Sequence, residues 1–466
     1  MESIIAPFYN ALDGLNSKEI HSFHALPLNF GHILPSLYFK NEFKKFYTTD
    51  FLSFETTVTE SWLDNPLSPK GPLYLAEKCT SEVFGVDKSF FITSGTSVAN
   101  QIVLDAILEN GDNILVERNV HKSIHFSLSN FNLNICYVEP QYSDANSERT
   151  YSNFEKMIQD FSTAFDNNQP FKVVILNAST YEGVINDIPL IINKLAEINP
   201  NFTILIDEAW FAFAKFNDVF SKFSVFSCIN KLKINYPNIK IIITQSFHKS
   251  LPSLRQASVI HVSANDEIIK KINESKFKIL TTSPSYPIIA SIDLACAEMR
   301  INGKNLINKA LTKVEEIIKY IRNLHNLSIN LEQNLEYWKI DALKLSVNFS
   351  MTNKSVQEVK DIFIRNNLFV SRFSKNSFLL NFHIGVSESA IILLKAALSE
   401  IDDCTVTRES EIPNKISTEY IIPYPPGVPI ILPGDQITPS KLQEIQDLKN
   451  NGIEIFRIQR KEDINA

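Results

Sequence analysis

Between Gly71 and Pro287, short apolar runs alternate with longer amphipathic stretches, and no other feature limits the possible folds of this chain as strongly. The runs are Phe90–Ile92, Asn113–Val116, Leu133–Val138, Lys172–Leu176, Phe202–Ile206, Ile239–Thr244 and Ser258–Val262. Their length and their β-branched and aromatic content read as strands. Intervening stretches such as Ser97–Leu108, with Val98, Ile102 and Ala106 on one stripe, read as helices. Strands alternating with helices predict a parallel sheet wrapped by helices, so the expected fold is α/β, with a large, mainly parallel-sheet domain over residues 71–287.

A smaller C-terminal α/β domain is expected over residues 288–466. It holds helices at Ile288–Arg300 and Leu306–Leu324, strand-like Asp341–Asn348, helical Val356–Asn366, strand-like Ser377–Phe382 and helical Ser387–Ile401. Its tail, Tyr420–Asp435, is apolar but crowded with proline, which demands an extended, rigid path. Residues 1–70 show little periodicity and read as an N-terminal arm packed on the rest of the protein or on a partner subunit.

A chain of 466 residues with a formal net charge of −7 argues against nucleic acid or an anionic membrane as the main partner. The lysine pairs Lys44-Lys45 and Lys270-Lys271 lie among acids and read as solvated helix faces. Cys79, Cys136, Cys228, Cys296 and Cys404 are scattered and form no CxxC pair, so neither a metal site nor a disulfide framework is expected, and reduced thiols fit a cytoplasmic protein. The N-terminus lacks a signal peptide, and no apolar run approaches the roughly 20 residues that cross a bilayer. Only 12 glycines occur, which makes Gly95, Gly183, Gly427 and Gly434 candidates for positions that geometry requires.

The chemistry-bearing residues stand where the runs end. Phe202–Ile206 leads into Asp207-Glu208-Ala209-Trp210, and Ile239–Thr244 leads into Gln245-Ser246-Phe247-His248-Lys249. Two buried strands thus deliver a carboxylate and an amine to one edge of a sheet. Phe90–Ile92 runs into Thr93-Ser94-Gly95-Thr96-Ser97, a small-residue turn that opens a helix and can hold a phosphate. An amine to trap an aldehyde, an acid to hold a ring nitrogen's proton and an anion cradle together suit pyridoxal 5'-phosphate. Each has a plainer reading. Asp207 can be a helix N-cap, Lys249 a strand-end lysine, His121 a satisfied surface histidine, and Thr96-Ser97 an ordinary helix start.

Read together, these segments resemble the group I ornithine/lysine/arginine decarboxylases, PLP-dependent enzymes of the aspartate-aminotransferase-like fold type I. The matching stretches, in order, are Pro69–Pro72, Thr93–Asn100, Arg118–Ser123, Ser179–Gly183, Asp207–Ala212, Thr244–Lys249, Gln256–Ser258, Thr282–Pro287 and the Tyr424–Asp435 tail. The resemblance implies that Lys249 carries the cofactor, Asp207 holds its ring nitrogen, and His121 and Ala209 face its two sides. It also implies cofactor contacts from Gly95, Thr96, Ser97, Trp210, Ser246 and His248. Thr281, Thr282 and Ser283 match a segment that often reaches the neighbouring subunit's cofactor, which implies a homodimer with shared active sites.

Three departures bear on substrate. Phe23–His32 replaces the family's Pro-Gly-His-Lys segment. Asp435 stands where many relatives have a glutamate suited to a basic substrate's distal cation. An added N-terminal wing domain is not expected, as in the family's short members. The expected reaction is decarboxylation of a basic or polar amino acid, of the lysine, ornithine or arginine class, to an amine and CO₂, as in polyamine metabolism. The alternatives are an aminotransferase, which would use a small-domain arginine such as Arg372, a biosynthetic lyase or oxidase, and a non-catalytic regulatory homologue.

Overall fold

The computed structural model describes residues 6–16, 18, 20–21, 23, 25–56, 62–144, 149–329, 336–352, 354–402 and 415–459. Cys404 and, within the Phe23–His32 segment, His24 lie outside them.

Each of the apolar runs becomes a strand of one seven-stranded sheet. The strands are β1 (Lys88–Ile92), β2 (Asn113–Glu117), β3 (Asn134–Val138), β4 (Val173–Asn177), β5 (Thr203–Asp207), β6 (Lys240–Gln245) and β7 (Ser258–Ser263), in the order β1-β7-β6-β5-β4-β2-β3. Only β7 runs against its neighbours. The connection between β6 and β7, residues 246–257, holds only the single helical turn Phe247–Ser250 and no helix long enough to carry the chain back along the sheet, as a parallel pair needs.

Alternate residues of each strand enter opposite cores. Ile204 and Ile206 join one apolar cluster with Leu115, Val174 and Leu176, while Leu205 joins the other with Ile114, Val116 and Ile175. Both faces are therefore dry, which explains why these strands are unbroken apolar runs. Helix α1 (Pro7–Asn16), from the arm, docks through its free N-terminal amides: Phe8 and Tyr9 N–H donate to Asp293 Oδ2 at 2.8 and 3.1 Å.

The two helices expected over Ile288–Leu324 are one continuous helix, Tyr286–Ile321, of 36 residues. The expected break was the polar, glycine-containing stretch at residues 301–305. Gly303 instead shares a buried stripe with Met299 and Ile307, and a Cβ there would meet Phe216 Cβ at 2.9 Å. The glycine permits close packing inside the helix and does not end it. Gly303→Ala is therefore expected to destabilise the protein. Overpacking costs about 1–3 kcal/mol, and alanine's better helix propensity returns only about 1 kcal/mol. A lower denaturant midpoint with an unchanged slope would show this.

Beyond this helix lies an antiparallel sheet of Ser328–Ile329, Lys344–Asn348, Ser377–Asn381 and Arg372–Phe373, in that spatial order. Helices Val356–Arg365 and Glu388–Asp402 accompany it. The proline-rich tail begins as a strand, Glu419–Tyr424, paired antiparallel with Glu454–Gln459. Among the described residues no helix is long and apolar enough to cross a membrane.

Candidate active site

Strands β1, β2, β4, β5 and β6 run the same way, so their carboxyl ends share one edge of the sheet, the edge where α/β folds place their ligands. Asp207 ends β5 opposite Thr244 of β6. Its Oδ1 accepts from Ala209 N–H at 3.1 Å, and its Oδ2 accepts from Asn100 Nδ2 at 3.1 Å. Asn100 Oδ1 in turn accepts from Thr244 Oγ1 at 2.7 Å. Burial raises the Asp207 pKa, opposed chiefly by the positive charge of Lys249.

Helix α2 (Thr96–Ile107) carries Asn100 one turn inside its start, on the same face as Thr96. The Thr96 hydroxyl is hydrogen-bonded to that of Ser246, at the end of β6, so two hydroxyls meet at a helix N-terminus. Gly95 precedes them with φ +80°, a conformation that favours glycine, and the space its side chain would occupy is empty. Ser97 is exposed beside it. Backbone donors, hydroxyls and open space fit a phosphate.

Lys249 is largely buried and lies 4.4 Å above the Trp210 ring. Burial lowers its pKa, with Asp207 pulling the other way, which moves the amine toward its nucleophilic neutral form. The indole is held edge-on by Tyr181, ring centroids 5.1 Å apart, and carries a second amine, Lys344 Nζ, 4.8 Å from its centre. Lys344 is buried, donates to Thr180 O at 2.7 Å, and has its pKa lowered to about 8 by that burial.

His121 follows β2 and caps helix α3 (Lys122–Leu128). Ser123 N–H donates to its Nδ1 at 3.3 Å, so Nδ1 is an acceptor and the ring proton sits on Nε2. Ser123 Oγ bonds the same Nδ1 at 3.0 Å and accepts from Asn100 Nδ2 at 3.1 Å. A continuous polar chain thus links His121 to Asp207. Burial first, then Lys249, pushes the imidazole pKa down to about 3, so the ring is neutral.

The remaining expected residues lie apart from this chain. His248 binds Ala257 O at 2.9 Å and holds the turn into β7. Thr282 and Ser283 are exposed, with Thr281, ahead of the long helix. Asp435 faces Arg118 at 2.8 Å and Lys441 at 3.3 Å, and its pKa is lowered by Leu432 N–H and by these cations against an opposing burial effect. Sequence reasoning did not single out Ser123, Asn100, Thr244 or Lys344. The signal for Lys344 was present: a lone lysine in the apolar run Leu343–Val347 has no solvent to face.

Behind Asp207, on the other face of the sheet, a buried chain holds the end of β5. Ser224 Oγ and Gln245 Nε2 donate to Glu208, His261 Nε2 meets Gln245 Oε1 at 3.1 Å, and Ser89 Oγ meets His261 Nδ1 at 2.9 Å. Because Gln245 must offer its oxygen, His261 donates through Nε2 and accepts at Nδ1. Burial lowers the His261 pKa from 6.5 to about 3. The unfolded chain takes up this proton below 6.5 and the folded one only near 3, so stability falls as pH drops through that window. Glu208, raised by burial to about 7, has the opposite dependence and loses its contribution as pH rises through that value. His261→Asn is expected to flatten the acid limb of urea midpoints measured from pH 6.5 to 4 while lowering the midpoint at neutral pH.

A buried acid, an amine whose charged form burial disfavours and a hydroxyl-lined helix start at the carboxyl edge of this sheet fit pyridoxal phosphate, and the fold is that of the fold type I enzymes that use it. The chain belongs to the Orn/Lys/Arg decarboxylase family: the family's major domain matches residues 6–355 and its C-terminal domain residues 395–451. Enzymes of this family depend on pyridoxal phosphate. The chain is 27% identical to the uncharacterized protein YaaO of Bacillus subtilis, over 95% of this chain and 94% of that protein. It is 28% identical to lysine decarboxylase LdcA of Pseudomonas aeruginosa over 72% of this chain, and spans 45% of that longer protein. The Francisella novicida lysine decarboxylase LdcF superposes with a TM-score of 0.79, covering 98% of this chain and 79% of that one; at 19% identity the likeness is one of fold.

Proposed function

We propose that this chain is a pyridoxal-phosphate-dependent decarboxylase that converts a basic amino acid of the lysine, ornithine or arginine class to its amine and CO₂. The observation that carries this reading is the convergence of Lys249, Asp207, His121 and the Thr96–Ser246 hydroxyl pair on one edge of the sheet. Family membership supplies the substrate class.

When bound, the cofactor supplies an aldehyde for the amino group and a ring that draws off the electron pair left by departing CO₂. The chain's residues supply everything else. Lys249, its charged form disfavoured by burial, would offer the amine that holds the aldehyde and would carry a proton. Asp207 would hold the proton of the ring nitrogen, and Asn100 and the Ala209 amide hold Asp207. His121, a neutral imidazole, would hold the ring from one side and Ala209 from the other. Gly95, Thr96, Ser97 and Ser246 would bind the phosphate, while Trp210 walls the amine and His248 fixes the turn beyond it.

An arginine that grips the substrate carboxylate would favour transamination. Arg372 is engaged instead by Glu182 at 2.6 Å and is only 11% exposed, which favours the decarboxylase reading. We also propose a homodimer, in which Thr282 and Ser283 reach the partner's site and the exposed Phe23, Tyr38 and Phe46 of the arm are covered. The division into an arm (1–70), a cofactor domain (71–287) and a small domain (288–466), and a cytoplasmic location suggested by free Cys79, Cys136, Cys228 and Cys296, belong to the same proposal.

The test is to add pyridoxal phosphate to the purified protein, record its visible absorbance, and assay CO₂ release from carboxyl-labelled lysine, ornithine and arginine. A lysine-linked absorbance band with CO₂ from one of them is the expected result. A band with keto-acid formation and no CO₂ would replace decarboxylation with transamination, and no band would overturn the reading.

A further inference from the structure

The loop that carries His121 is fastened to a segment from the far end of the chain. Lys122 N–H donates to Gly427 O at 3.1 Å. Arg118, 4% exposed, spans two points of the same segment: Nη1 donates to Pro429 O at 3.2 Å and Nη2 pairs with Asp435 Oδ2 at 2.8 Å. Asp435 also accepts from Leu432 N–H at 3.0 Å, which ties the segment to itself.

One residue of the segment touches the imidazole. Gly427 has φ +85°, and a Cβ there would lie 3.1 Å from His121 Nε2 and 3.3 Å from Tyr424 Cδ2. Glycine is thus needed twice, for the backbone and for the approach. Ser123 holds the opposite edge of the ring at Nδ1, so the imidazole is gripped from both sides.

We propose that Tyr424–Asp435 is a positioning element for His121, acting on the ring through Gly427 and held in place by the Arg118–Asp435 pair. This rests on the reading that His121 faces the cofactor. It assigns the segment a role in the cofactor site, and it makes Gly427 and Asp435 positioning residues whose effect on chemistry passes through the imidazole.

The test compares Gly427→Ala with Gly452→Ala in the full-length protein. Gly452 also has positive φ (+73°), but the nearest atom to its added Cβ is the far end of the Lys360 side chain, at 3.6 Å, an ordinary contact distance. Both variants carry the backbone penalty and only one crowds His121. In protein without cofactor, the His121 ring-proton resonance, assigned by its loss in His121→Ala, is expected to move in Gly427→Ala and to stay in Gly452→Ala. With pyridoxal phosphate, Gly427→Ala is expected to shift the visible band and lower kcat on the order of 10²-fold. In a His121→Ala background the same substitution should add little.

Equal behaviour of the two glycine variants, or an undiminished Gly427→Ala effect in the His121→Ala background, would overturn the proposal. Asp435→Glu should behave nearer wild type than Asp435→Asn, because it keeps the charge facing Arg118. If the ring resonance moves as expected but His121→Ala leaves the bound cofactor's spectrum and turnover unchanged, the positioning stands and the placement of His121 at the cofactor fails. That outcome separates the two readings.

Discussion

Lys249→Ala protein supplied with pyridoxal phosphate is expected to lose the lysine-linked visible band, with its decarboxylation rate falling on the order of 10⁴-fold. Burial disfavours the charged Lys249 amine, and no other amine shares its place at the end of β6. A second amine, Lys344, lies 4.8 Å from the centre of the same indole. It is committed to Thr180 O and enters from the four-stranded sheet, so it is not expected to rescue the variant. Borohydride reduction followed by peptide mass mapping should place the cofactor on Lys249 in the wild-type protein and on no lysine in the variant. Recovery on Lys344 would reassign the nucleophile.

Asp207→Asn is expected to separate function from stability. The carboxylate is buried, and its pKa is raised because the fold without cofactor gives it too little compensation: Lys249 acts at longer range, and two neutral donors do the rest. Asparagine removes the buried charge while giving up one good acceptor, and a neutral hydrogen bond contributes only about 1 kcal/mol. The denaturation midpoint without cofactor should therefore change little. Turnover should fall on the order of 10²–10³-fold, the usual loss when one preorganised electrostatic group is removed. A large loss of stability without cofactor would mean that Asp207 holds the strand end together and has no need of a ring nitrogen.

Much of this was legible in the chain because the sheet is dry on both faces. Strands such as Thr203–Asp207, buried at every position, leave unbroken apolar runs, and the acid that closes this one, Asp207, stands at the edge of the sheet where the site is proposed. What was not legible depended on contacts between distant segments. Gly303 reads as a break in one dimension and as a packing contact with Phe216 in three. The reversal of β7 depended on how short a helix precedes it. Asn100 looks like any polar residue on a helix until Thr244, Ser123 and Asp207 are brought around it. Asp435 reads as an acid awaiting a cation, and the cations it faces, Arg118 and Lys441, belong to the chain itself.

The unbroken helix Tyr286–Ile321 has a mechanical consequence. At 36 residues it is about 54 Å long. It touches helix α1 and strand β1 of the large sheet, and also Ser328–Ile329 and helix Glu388–Asp402 beside the small one. A shaft that serves both sheets offers no elbow between them. Rotating the helix about its long axis would bring a side chain to the place Gly303 holds against Phe216, so the stripe of Met299, Gly303 and Ile307 resists that motion as well. The helix therefore couples the two sheets rigidly, and the missing side chain at Gly303 is what lets Phe216 lock against it.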